Sequence, residues 1–180
     1  NLLSVPRDPS ALGDPEFASF KAELKHWIDE ETGYQAIQGT KPQTLSFALT
    51  DSPAGLAAWI VEKFQSWTDG GGDPEAALTR DQMLANISFY WFTGAIGTSF
   101  YPYLFRRRRG WPTSPERPAT APTAHAVFPK EMLRPPRSLA EKSFTDLRRW
   151  TVFPRGGHFA AMEQPEALAG DVQAFFRELR

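Results

Sequence analysis

The sequence predicts an α/β fold class, in which a long helical region precedes a short parallel sheet. Apolar residues recur at helical spacing through most of residues 15–92. Two strand-like runs follow, an apolar one at 124–128 and a second at 149–153, with a helical pattern between them. Strands separated by about 20 residues that include a helix are typical of a parallel crossover unit.

The first part of the helical region begins after residues 1–14, an irregular connector rich in Pro, Ser and Asp. The spacing predicts a helix over 15–31 that Gly33 stops, and another short helix begins within the apolar run 44–48. The apolar face of the first helix comprises Phe17, Phe20, Leu24, Trp27 and Ile28.

The second part of the helical region starts with Asp-Ser-Pro at 51–53, which indicates a helix cap followed by proline in the first turn. The helix that it opens ends at the Asp-Gly-Gly-Gly run 69–72. A further helix is predicted over 79–92, with Thr79 as its cap. Residues 94–103 are less regular, and 106–109 are four consecutive arginines.

The chain changes character after Trp111, and residues 112–122 are predicted as loop. A buried strand is expected at 124–128, a short helix at 138–144, and a second strand at 149–153. A terminal helix is expected from Pro165 to Leu179, with proline near its start. Its apolar positions are Leu168, Val172, Phe175, Phe176 and Leu179.

A parallel sheet of two strands is not a stable fold by itself, because parallel sheets are covered on both faces and contain more strands. An isolated pair also exposes an unpaired edge. We therefore expect this chain to be part of a larger fold, in which a preceding segment supplies the other strands.

Composition excludes several classes of function. The 180 residues are 41% hydrophobic with a net charge of −1, which fits a globular protein and argues against a general binder of polyanions. The arginine run 106–109 lacks interleaved base-stacking residues, so we expect a solvated face and no nucleic-acid partner. No apolar run approaches the length of a membrane-spanning helix, about 18 residues. No cysteine is present, and His26, His125 and His158 lack the spacing of metal ligands.

His158 lies in the segment 155–166 (RGGHFAAMEQPE), on a glycine turn between a predicted strand and a predicted helix. A single histidine is most often an ordinary loop residue. The position of His158 favours a general base instead, because ligand crevices in open α/β sheets lie at the carboxyl ends of strands.

Glu131 follows the other predicted strand, so it is the candidate carboxylate to orient His158. The order of acid before histidine is that of α/β-hydrolases. A surface glutamate is the alternative, and Asp146 is the rival acid. Asp146 ranks lower because it precedes the second strand and does not follow the first. No Gly-x-Ser-x-Gly motif is present, so the sequence supplies no nucleophile.

Several segments together resemble the epoxide hydrolases, the microsomal-type branch of the α/β-hydrolase superfamily. The histidine loop 155–166 is similar to the family's own. Residues 31–42 (ETGYQAIQGTKP) and 51–64 (DSPAGLAAWIVEKF) resemble its lid segments, and 86–103 resembles the segment with its second functional tyrosine. By pattern alone Tyr34 and Tyr103 would be packing aromatics. The resemblance covers nearly all of the chain from Gly33 onward.

The resemblance implies the C-terminal portion of an α/β-hydrolase fold with a helical lid, and a sheet that is incomplete in this chain. It divides the chain into a connector (1–14), a lid (15–109) and part of the hydrolase core (110–180). It implies that Tyr34 and Tyr103 hold the epoxide oxygen, with Tyr101 as the alternative to Tyr103. It also implies His158 as general base and Glu131 as its orienting acid.

The resemblance further implies a hydrophobic epoxide substrate, water as second reactant, and no cofactor. The nucleophile would be an aspartate in a complementary N-terminal segment, so this chain alone would be inactive. A homodimer and the cellular compartment stay open. The alternatives are another α/β-hydrolase, either a dehalogenase or a serine esterase, and a non-catalytic module that binds hydrophobic ligands.

Overall fold

The computed structural model describes residues 16–110 and 117–180. These residues form two compact units. The helical unit is 30–110, and the sheet unit combines 16–29 with 117–180. The predicted connector 1–14 lies outside the described residues, and the predicted domain boundaries stay predictions.

The helical unit contains six α-helices and a 3₁₀ turn in its described residues. The helices are α2 (Gly33–Thr40), α3 (Pro42–Asp51), α4 (Pro53–Trp67), α5 (Arg80–Thr93), α6 (Ile96–Ser99) and α7 (Tyr101–Arg109), and the turn is Pro74–Ala76. The core cluster comprises Leu49, Leu56, Ile87, Ile96 and Phe100. This apolar cluster joins α3, α4, α5 and the short helix α6, which accounts for the compactness of the unit.

Local capping sets the start of the two long helices in this unit, as the sequence predicts. The Ser52 hydroxyl accepts a hydrogen bond from the Gly55 amide at 3.0 Å at the start of α4. Thr79 and Gln82 form a reciprocal capping box at the start of α5. Gly94 ends α5 in the left-handed conformation, at φ 64°. The capping predictions at 51–53 and Thr79 are confirmed.

Three helices of this unit correct the sequence predictions. Gly33 does not stop the helical region but begins α2, after a break at Thr32 alone. The segment 94–103, expected to be irregular, contains α6 and the start of α7, and the arginine run forms the last turn of α7. Helices α2 and α7 pack together, so tertiary contact stabilises segments whose own helical pattern is weak.

The sheet unit contains two strands and four α-helices in its described residues. They are α1 (Glu16–His26), β1 (Thr123–Val127), α8 (Arg137–Ser143), β2 (Leu147–Val152), α9 (Ala160–Glu163) and α10 (Pro165–Arg177). A π-helical turn, Trp27–Glu31, follows α1. Strands β1 and β2 pair in parallel, with His125 opposite Trp150. The predicted crossover unit is confirmed, and α9 was not predicted.

Side chains of α10 and α1 fix helices to this small sheet unit. The carboxylate of Asp171 on α10 is buried and accepts hydrogen bonds from Arg149 Nε and Thr151 Oγ1 on β2, both at 2.7 Å. Phe17 and Phe20 of α1 form a buried cluster with Leu139 of α8. This partly buried, hydrogen-bonded ion pair positions α10 against β2, because the buried Asp171 carboxylate would be costly to leave without a partner.

The helices of the described residues include none with the length and hydropathy that crossing a bilayer requires.

Gly156 adopts a backbone conformation that only glycine accommodates readily, at φ 105°. A Cβ atom there would lie 2.8 Å from Phe128 Cδ1 and 2.9 Å from Gln164 Cγ. We therefore expect Gly156→Ala to lower the free energy of unfolding by about 1–3 kcal/mol, measured by urea denaturation. The matched control is Gly170→Ala, because Gly170 lies inside α10 with no atom near a new Cβ. That control should leave stability equal or raise it by up to about 1 kcal/mol. Equal effects of the two changes would contradict the prediction.

Candidate functional site

Glu131 and His158 are brought together by the continuation of the parallel pairing beyond the strands. An isolated parallel bridge joins Lys130 to Gly157, and the Lys130 amide donates to the Gly156 carbonyl at 3.0 Å. Glu131 and His158 are each the next residue along the chain. The backbone therefore places the carboxylate and the imidazole side by side at the carboxyl end of the sheet.

The two side chains form a direct hydrogen bond. His158 Nδ1 lies 2.9 Å from Glu131 Oε1, and this oxygen also accepts the Met132 amide at 2.8 Å. A carboxylate oxygen only accepts, so Nδ1 is the ring nitrogen that donates, and in the neutral form of the ring the lone pair then lies on Nε2. Both side chains are about a quarter exposed (26% and 24%), so water can reach the pair. In this arrangement the carboxylate of Glu131 fixes the orientation of the His158 ring.

Asp146, the rival acid, forms a different interaction. Its carboxylate accepts hydrogen bonds from the Arg148 side chain at 2.8–3.1 Å, and this guanidinium holds the pKa of Asp146 below its usual value. The side chain that pairs with His158 is Glu131, as predicted.

Tyr34 and Tyr103 meet within the helical unit. Tyr34 lies on α2 and Tyr103 on α7, with ring centroids 5.6 Å apart at 78°, an edge-to-face contact. Tyr103 is half-buried, whereas Tyr101 is 45% exposed. The sequence predicts Tyr103 as the second donor, with Tyr101 as the alternative. The ring contact of Tyr103 with Tyr34 favours Tyr103.

Burial raises the pKa of the Tyr34 hydroxyl to about 12. The Gln35 amide opposes this shift, because Gln35 Nε2 donates to the Tyr34 hydroxyl at 2.8 Å, and a hydrogen bond between the two tyrosines adds to it. Burial also raises the pKa of Tyr103, against the effect of the Arg106 charge. Both phenols therefore keep their protons at neutral pH and are available as donors.

A polar cluster surrounds the Tyr34 ring. Lys63 Nζ lies 5.0 Å from the Tyr34 ring centroid and 4.8 Å from that of Trp67, and it forms an ion pair with Glu31 at 3.5 Å. Trp67 Nε1 donates to Glu31 at 2.8 Å, and its ring is 5.4 Å from that of Tyr34. These contacts hold the phenol ring by a cation and an edge-to-face aromatic contact.

The sequence reasoning missed two residues of this cluster as participants, Gln35 and Lys63. The signal for Gln35 is only its position beside Tyr34. Lys63 lies four residues before Trp67, one helical turn, so a cation near an aromatic face was readable from the spacing. Within 16–110 and 117–180, no group of three His, Asp or Glu residues has the arrangement of a metal site.

Relatives of the chain share one description. No protein-family model matches it. A protein of Stigmatella aurantiaca (strain DW4/3-1), assigned to the epoxide hydrolases by its name, is 42% identical over 179 residues, which are 99% of this chain and 40% of that protein. Epoxide hydrolase 1 of Oryctolagus cuniculus is 37% identical over 164 residues, 87% of this chain and 36% of the relative.

Solved structures agree with the sequence relatives. An enantioselective mutant of the epoxide hydrolase from Aspergillus niger superposes with a TM-score of 0.81 at 27% identity, covering 99% of this chain and 44% of that one. The juvenile hormone epoxide hydrolase of the silkworm Bombyx mori gives 0.78 at 33% identity, covering 94% and 43%. The chain thus spans about two fifths of the length of the proteins that it matches.

The relatives and the solved structures carry one family name over nearly the whole of this chain, and the parallel crossover and the helical unit fit the same fold. In sequence and fold, the chain corresponds to the C-terminal portion of the epoxide hydrolases of the α/β-hydrolase superfamily, with their helical lid.

Proposed function

We propose that this chain is the lid and base-bearing portion of an epoxide hydrolase, which opens an epoxide to a vicinal diol through an ester intermediate. The observation that carries the proposal is the pair of half-buried phenols, Tyr34 and Tyr103, whose rings are in edge-to-face contact 5.6 Å apart. Ring opening leaves negative charge on the epoxide oxygen, and two protonated phenols supply donors for it.

In the first step, an aspartate carboxylate attacks one ring carbon and forms an ester bond. The carbon–oxygen bond of the ring breaks, and its electron pair stays on the oxygen, which takes a proton from a tyrosine. We propose that this aspartate lies in a complementary N-terminal segment of the same enzyme. This chain alone is then inactive.

In the second step, His158 removes a proton from water, and the resulting hydroxide attacks the ester carbonyl. Glu131 keeps the ring in the correct tautomer and stabilises the imidazolium that forms. The ester bond then breaks, and the departing alkoxide takes the proton of the new carboxylic acid, which gives the diol and restores the aspartate carboxylate. The imidazolium returns its proton through water to the tyrosinate left by the first step. No step of this sequence consumes a redox equivalent.

Exposed aromatic side chains favour a hydrophobic epoxide. In the helical unit, Phe47, Phe89, Phe92 and Phe105 are each more than half exposed. Large exposed apolar side chains are common where ligands or partners bind.

A homodimer of the whole enzyme stays a prediction.

Replacing either phenol tests the first step. In the full-length enzyme, we expect Tyr34→Phe and Tyr103→Phe each to slow ester formation about 10²- to 10³-fold, because one donor to the developing oxyanion is lost. Stopped-flow single-turnover kinetics measure this step. Tyr101→Phe is the matched control and should stay near the wild-type rate.

A full rate of ring opening in both Tyr34→Phe and Tyr103→Phe would contradict the proposal and favour a dehalogenase or an esterase. A loss only in Tyr101→Phe would transfer the second donor role to Tyr101.

The pH dependence of ring opening follows from the raised pKa of Tyr34. Both donors must be protonated, and burial raises the pKa of Tyr34 to about 12 and also raises that of Tyr103, so the rate is lost only above the usual tyrosine value of about 10. We expect single-turnover ester formation to hold nearly constant up to pH about 10. The uncatalysed reaction in the same buffers is subtracted as control. A rate that halves near pH 10 would contradict the prediction.

Replacing the base tests the second step. We expect His158→Gln to form about one equivalent of ester and then stall, because ring opening does not use the imidazole. Intact-mass spectrometry should show the enzyme heavier by the mass of the epoxide. His26→Gln, at the exposed end of α1, should turn over normally. Steady turnover by His158→Gln would remove the proposed base, and unchanged ligand binding with no reaction in the wild type would favour a binding module.

A further inference from the structure

The backbone on both sides of His158 is held by one side chain, that of Glu163. Its Oε2 accepts the Gly157 amide at 3.0 Å, and its Oε1 accepts the Phe159 amide at 3.1 Å. Gly157 and Phe159 are the immediate neighbours of His158 in the chain. One carboxylate therefore spans the residue that carries the imidazole.

The sheet holds the loop through Gly156, which precedes His158 in the chain, whereas Glu163 follows His158 and holds the loop from the other side. The bond between the Lys130 amide and the Gly156 carbonyl holds the loop to the end of β1. Glu163 lies at the end of α9 and holds the same loop to that helix. Hydrogen bonds to a charged acceptor are stronger than neutral ones, and two of them fix orientation as well as position.

We propose that Glu163 is a positioning residue for His158, which sets the imidazole at the distance and angle that ester hydrolysis needs. The inference rests on the proposed function. Glu163 acts through the backbone of the loop and does not touch the substrate.

The variant Glu163→Gln isolates this role because it keeps the size of the side chain. A glutamine has one acceptor oxygen and an NH₂ group, and NH₂ cannot accept from a backbone amide. One of the amides of Gly157 and Phe159 then loses its partner, and the loop shifts. Because a misplacement of about 1 Å costs up to about 100-fold in rate, a small shift suffices.

The test uses the full-length enzyme and an epoxide whose hydrolysis the wild type catalyses. We expect Glu163→Gln to slow hydrolysis of the ester about 10- to 100-fold, while ester formation stays within about 2-fold of wild type. The ester should accumulate in single-turnover experiments. In steady state kcat and KM should fall together, so that kcat/KM is unchanged.

Two further variants complete the experiment. Glu166→Gln removes an exposed glutamate three residues away, in the first turn of α10, and should leave both steps at the wild-type rate. Glu163→Asp keeps the carboxylate on a shorter side chain and should recover part of the hydrolysis rate.

A merely structural role gives a different result. Loss of folded enzyme would lower the amplitude of ester formation and kcat/KM by the same factor as hydrolysis, and such a parallel loss would overturn the proposal. A normal hydrolysis rate in Glu163→Gln would also overturn it. Failure of the proposed function is a separate result, since the wild type would then form no ester with any epoxide.

Discussion

The constraint on which the sheet unit depends is the parallel pairing of β1 with β2. Parallel strands need a crossover, so this pairing requires the loop after β1, helix α8 and the return to β2. The pairing does not stop where the strands end but continues to the bridge between Lys130 and Gly157. Glu131 and His158 follow this bridge directly. They are 27 positions apart in sequence, and the backbone register brings His158 Nδ1 to 2.9 Å from Glu131 Oε1.

The helical unit solves a different physical problem, which is to bury two polar phenols between its helices. A buried hydroxyl without a partner costs about 1–3 kcal/mol, and the Tyr34 hydroxyl is hydrogen-bonded by Gln35 and by its neighbour Tyr103. The same burial raises the pKa of both tyrosines. Packing of α2 against α7 thus creates the pair and keeps both protons in place.

The sequence predicted what local signals determine. Ser52 and Thr79 begin helices because their hydroxyls accept from amides a few residues on, and the apolar runs form the strands. Glu131 was preferred to Asp146 because it follows a strand, and the register of the pairing places Glu131 beside His158. The catalytic role of Glu131 stays a prediction. Helices α2 and α7 were missed or cut short because their stability comes from contact with each other.

The sequence also could not predict which side chains contact residues of other segments. Within the segment 155–166, the sequence alone indicates a role for the histidine only. Glu163 of the same segment accepts from two backbone amides because α9 turns the chain back toward them. Likewise, the contact of Lys63 with Trp67 follows from their spacing within α4, but its contact with the Tyr34 ring depends on how α4 faces α2. Contacts between elements are decided by packing, which local spacing does not encode.

The indole of Trp67 gives the protein an internal optical signal. It lies edge-on to the Tyr34 ring at 5.4 Å, and its N–H group donates to Glu31. Any molecule that takes the Tyr34 proton changes the electric field at this ring, to which indole fluorescence responds. Because the chain has six tryptophans, a form that retains Trp67 alone would separate its emission from the others and follow occupation of the phenol pair in real time.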